Sequence, residues 1–127
     1  MTKILAVALG GAIGSVGRYL TALAVESIST SKFPYETLVA NLIGCFLIGL
    51  LWGYFERLSI SNEFRLFLFT GVLGGYTTFS TFARENLQFF KAGEPLSALS
   101  YIMISNLIGL TLVAAGFLIS SYLVNSS

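Results

Sequence analysis

The chain has 127 residues, 55% of them hydrophobic and only 10% charged, with 7 Lys and Arg against 6 acidic residues, all Glu. Soluble domains carry roughly 25% charge, so this composition belongs to an integral membrane protein, and the near-neutral balance leaves no basic surface for nucleic acid. Without His or Asp, imidazole metal sites and histidine general-base chemistry are excluded, and with no paired carboxylates an enzyme is not expected.

A bilayer core of about 30 Å needs roughly 20 helical residues, and four segments reach that length. They run from Ile4 to Val25, Thr37 to Phe55, Phe64 to Phe90 and Leu96 to Val124, joined by short polar connections. Residues 1–127 therefore read as a single four-helix transmembrane domain of an all-α, multi-pass protein. The start, MTKILAVALGGAIG, has the charge and apolar run of a secretory signal. Its apolar character continues through Arg18 to Val25, so it is expected to be a first span rather than a cleaved peptide.

In the first span Gly10 and Gly14 form a GxxxG pair, with Gly11 and Gly17 widening a small-residue face of the kind that lets helices approach closely in lipid. Arg18 lies well inside this span. A charge there faces protein or snorkels to an interface, and structural pairing or anchoring is favoured over attraction of an anion.

The second span opens after Pro34 with Glu36 and Thr37 and carries Asn41 one turn in, followed by Gly44, Gly49 and Gly53. A lone buried asparagine is most often interhelical glue, but its uncharged amide also suits transient contact with an anion. Cys45, the only cysteine, forms no intrachain disulfide and reads as a small packing residue.

The third span holds GVLGGYTTFSTFARE from Gly71 to Glu85. Each Gly weakens a helix by about 1 kcal/mol, and short hydroxyl side chains compete for backbone groups, so the helix is expected to break within Gly74 to Thr78, near its middle. Broken backbone at membrane depth survives only inside protein or beside water, and half-helix ends make ion sites. Phe79 and Phe82 share one face after the break. Composition alone favours simple packing of both rings; turned edge-on to a narrow path, their positive edges would touch a small anion. Glu85 falls near the span's end, where a solvated or paired carboxylate is the default.

The fourth span carries Tyr101 and Ser105 one turn apart, on a face able to supply hydroxyls opposite Phe79 and Phe82, with Asn106 and Thr111 beyond. Leu110 and Ala114 interrupt any longer polar stripe.

The runs GGAIGSVGR, TLVANLIGCFLIG and GGYTTFSTF together resemble the Fluc, or CrcB, family of small bacterial fluoride channels, over essentially the whole chain. The resemblance implies passive export of fluoride from the cytoplasm across the plasma (inner) membrane, relieving fluoride toxicity. It implies a fluoride pathway through Asn41, Phe79, Ser80, Thr81, Phe82, Tyr101 and Ser105, with Glu85 near one end. It also implies a structural Na+ held by backbone carbonyls of Gly74 and Thr77 where two copies meet.

Lys and Arg near the span ends divide evenly: Lys3, Arg57 and Arg65 on the terminal side, Lys32, Arg84 and Lys91 on the other. The positive-inside rule has no excess to act on. A chain that inserts both ways forms an antiparallel (inverted) homodimer, the inverted-repeat arrangement made from two chains in membrane lipid. Two other classes compete. A small proton-coupled multidrug exporter needs a carboxylate deep in the membrane, whereas Glu26, Glu36, Glu56, Glu63, Glu85 and Glu94 all lie toward span ends or loops. A non-transporting scaffold subunit explains the glycine faces but gives the polar run Thr77 to Thr81 no purpose.

Overall fold

A computed structural model describes residues 1–126 and is all-helical. Helix α1 spans Thr2–Ile28 and α2 spans Tyr35–Phe55. The third span, Asn62–Lys91, is divided. Its first half, α3 (62–76), begins as a turn over Asn62–Arg65, widens to π-helical geometry over Leu66–Leu73 and closes with Gly74–Tyr76. Its second half, α4, is Phe79–Lys91, and α5 runs over Pro95–Ser126. All four spans are long and apolar enough to cross a membrane.

The helix ends follow local chemistry. Ser61 caps α3 by accepting the Phe64 amide at 3.1 Å. Gly93, at φ 75, closes α4 in a Schellman motif: the Gly93 and Glu94 amides donate to the carbonyls of Phe90 and Phe89 at 3.1 and 2.8 Å. The same turn leaves Pro95 at the first position of α5, where it loses no helical bond.

Two close pairings organise the bundle: α1 on α3, and α2 on α5. Both rest on glycine. A Cβ on Gly14 would sit 2.1 Å from the Val72 carbonyl oxygen, and one on Gly49 would sit 2.1 Å from that of Val113. The outer surface is largely apolar, with Leu9, Leu20, Leu110 and Leu118 all exposed. A small internal core of Leu38, Phe89, Ala98 and Tyr101 ties α4 to α2 and α5, with Phe33, Leu42 and Phe82 packed against it.

The third span breaks inside the expected stretch, but the glycines do not unwind. Gly74 to Tyr76 stays helical, and the extended residues are Thr77 (φ −90, ψ 157) and Thr78 (φ −149, ψ 123). Gly71 and Gly75 serve approach instead: a Cβ on either would lie 2.8 Å from α1 backbone, at Gly10 Cα and the Gly11 oxygen.

Candidate functional site

The break exposes backbone groups, and side chains of α1, α2 and the break itself answer them. Asn41 on α2 donates from Nδ2 to the Thr78 carbonyl at 3.1 Å and accepts the Thr78 amide on Oδ1 at 2.8 Å. The Thr78 hydroxyl caps α4 by accepting the Thr81 amide at 3.3 Å and itself donates to Thr81 Oγ1 at 3.2 Å. The Thr77 hydroxyl turns back to the Leu73 carbonyl at 2.9 Å. From α1, Arg18 Nε reaches the Gly75 carbonyl at 3.3 Å. The Tyr76 hydroxyl meets that of Thr21 at 2.8 Å, fixing the end of α3 to the same helix. The carbonyls of Gly74 and Thr77 take part in none of the described bonds outside regular helix.

Beside the break lies a cavity of about 390 Å³, lined by Asn41, Gly74, Thr77, Thr78, Phe79, Phe82, Ser105 and Asn106, with Cys45 and Ile48 also in its wall. The Phe79 and Phe82 rings are 5.7 Å apart at 49°, and Phe79 is 78% exposed on the outer face of the chain. Ser105 Oγ is buried with no hydrogen-bond partner.

Across the Phe82 ring, 4.8 Å away, stands Tyr101, fully buried. Its hydroxyl does not enter the cavity. It donates to Glu85 Oε1 at 2.8 Å, while Thr37 donates to Oε2 at 2.9 Å. Glu85 is thus buried, at 8% exposure, and held by two neutral hydroxyls rather than solvated at the span's end. A second recess, of about 340 Å³, opens on Glu85 and is lined by Ser15, Arg18, Tyr19, Thr81 and Arg84 among others.

The residues singled out from the sequence therefore fall into two groups. Asn41, Gly74, Thr77, Phe79, Phe82 and Ser105 line the inner cavity; Arg18, Thr81 and Glu85 line the outer recess, and Tyr101 stands between. Ser80 is exposed and lines neither. Sequence reasoning missed Thr37, read only as a helix start, and the capping role of Thr78. Thr37 lies one turn before Asn41 on the same helix, and that spacing was the available signal.

Four spans, one broken and stapled beside a largely apolar cavity that carries a few polar groups and the Phe79 and Phe82 rings, define a multi-pass membrane protein built to pass a small solute or ion. Residues 5–117 match the family model described as CrcB-like protein, Camphor Resistance (CrcB), and the chain belongs to this family. A relative from Desulfotalea psychrophila is 56% identical over 117 residues, 92% of this chain and 91% of the relative. One from Flavobacterium psychrophilum is 44% identical over 124 residues, 97% and 100% of the two chains. Another from Salinibacter ruber is 45% identical over 116 residues, 91% and 87%. Each bears the name fluoride-specific ion channel FluC.

Proposed function

We infer that this chain is a fluoride channel of the plasma membrane, not an enzyme, and that it lets the ion leave the cytoplasm down its gradient. The observation that carries the reading is the Asn41 staple beside the Phe79 and Phe82 rings, a donor-bearing cavity without a fixed charge among apolar spans, in a chain so similar to named fluoride channels. Fluoride must exchange its tightly held water for protein donors, and weak contacts at several positions allow it both to enter and to leave. Asn41 offers its remaining N–H, Ser105 its unpartnered hydroxyl, and the rings their positive edges. A fixed cation in the cavity would hold the ion. Arg18 instead stands in the outer recess with Thr81 and Glu85, where it braces the Gly75 carbonyl in a structural role. Tyr101 and Thr37 act through Glu85, fixing its orientation at the end of the path.

The working unit in this reading is two copies in opposite orientation. The cavity is open on the outer face, where Gly74 and Phe79 are exposed, and a second copy closes it against lipid. Broken backbone facing hydrocarbon costs several kcal/mol, which favours such closure. The two-fold axis then brings the Gly74 and Thr77 carbonyls of both copies together. These are hard oxygen ligands suited to Na+. Among the described residues no three His, Cys, Asp or Glu side chains group to offer a metal an alternative.

The test is fluoride efflux from liposomes containing the purified protein, read with a fluoride electrode, with chloride in parallel. Fluoride loss without chloride loss, abolished by Phe79→Ile, supports the reading. Absence of fluoride loss from folded protein overturns it.

A further inference from the structure

Most donors around the inner cavity are already committed. Asn41 has given one amide hydrogen to Thr78; the hydroxyls of Thr77 and Thr78 donate to Leu73 and Thr81, and that of Tyr101 is turned away to Glu85. What remains is one N–H on Asn41, the hydroxyl of Ser105 and the weak thiol donor of Cys45. That is a thin replacement for the hydration of a small anion.

Asn106 changes this account. It follows Ser105 on α5, lines the same cavity, and is exposed on a strongly apolar span. Its Nδ2 donates one hydrogen to the Ile102 carbonyl at 2.8 Å, one turn back, which orients the carboxamide and leaves the second amide hydrogen unused. A carboxamide in hydrocarbon is costly and is kept where it meets protein or a wet path. We propose that Asn106 is a second carboxamide of the fluoride pathway, facing the ion from α5 as Asn41 does from α2, and a determinant of fluoride selectivity. The proposal rests on the inner cavity being the path.

Asn106→Leu keeps the branched shape and removes the amide; Asn106→Ala and Asn106→Ser guard against misfolding, and Phe79→Ile reports on the cavity itself. All are measured by fluoride and chloride efflux from liposomes and by elution of the purified protein. Asn106→Leu or Asn106→Ala is expected to slow fluoride about tenfold or more, as for loss of one charge-assisted hydrogen bond, with elution unchanged and partial recovery in Asn106→Ser. Fluoride flux within about twofold of wild type in the leucine and alanine variants, while Phe79→Ile blocks, overturns the proposal and leaves the cavity as the path. Normal flux in Phe79→Ile as well overturns the cavity reading. Loss of the dimer in the leucine and alanine variants alike assigns Asn106 to contact between copies, and also overturns it.

Discussion

Asn41 and Thr78, separated by 37 residues, exchange two hydrogen bonds that close the broken third span on α2. In the proposed pathway, the amide assigned to the ion is thus also the one that satisfies the backbone. Asn41→Leu would orphan both a carbonyl and an N–H, each costing about 1–3 kcal/mol when buried. The expected outcome is loss of fluoride efflux together with a lower unfolding temperature, measured by elution after heating. Asn41→Asp keeps the acceptor for the Thr78 amide and removes the donor, so it should be more stable than the leucine variant while repelling the anion.

The buried carboxylate of Glu85 depends on two hydroxyls on separate helices. Tyr101→Phe removes one, leaving Oε1 without its partner, and should destabilise by about 1–3 kcal/mol while slowing fluoride. Glu85→Gln should cost less stability than Tyr101→Phe, because an amide still bonds to both hydroxyls. The same heating and efflux measurements order the two variants, and the reverse order would show that Tyr101 acts independently of Glu85.

The glycines of α1 differ in what they meet. A Cβ on Gly14 collides with the Val72 carbonyl at 2.1 Å, whereas one on Gly17 reaches only the Tyr76 ring at 3.5 Å. Gly14→Ala should separate α1 from α3 at a cost of about 1–3 kcal/mol, and Gly17→Ala should be near neutral. Elution after heating distinguishes them.

An inverted pair predicts that the loop at Ser59 lies on both sides of the membrane. In a Cys45→Ser background, Ser59→Cys should be labelled by an impermeant thiol reagent in about half of the copies in intact cells. Labelling of all or none would mean a single orientation.

If Gly74 and Thr77 carbonyls hold Na+ between two copies, replacing Na+ on both sides by a large organic cation should slow fluoride efflux, and restoring Na+ should recover it. Fluoride rates unchanged after thorough removal would exclude a required sodium.

Much of this architecture was legible in the chain itself. Span number follows from apolar length against bilayer thickness, and the break from clustered glycines and hydroxyls, because these are local properties. The reason for the glycines was only partly local: Gly71 and Gly75 yield to α1 rather than to unwinding, and only the packed helices show which backbone lies opposite. Which donors are free was beyond sequence. Tyr101 offers the same hydroxyl as Ser105, yet one is bound to Glu85 and the other has no partner. Donor type is written in the residue, but its commitment depends on what the fold brings within 3 Å, and that is decided by residues far apart in the chain.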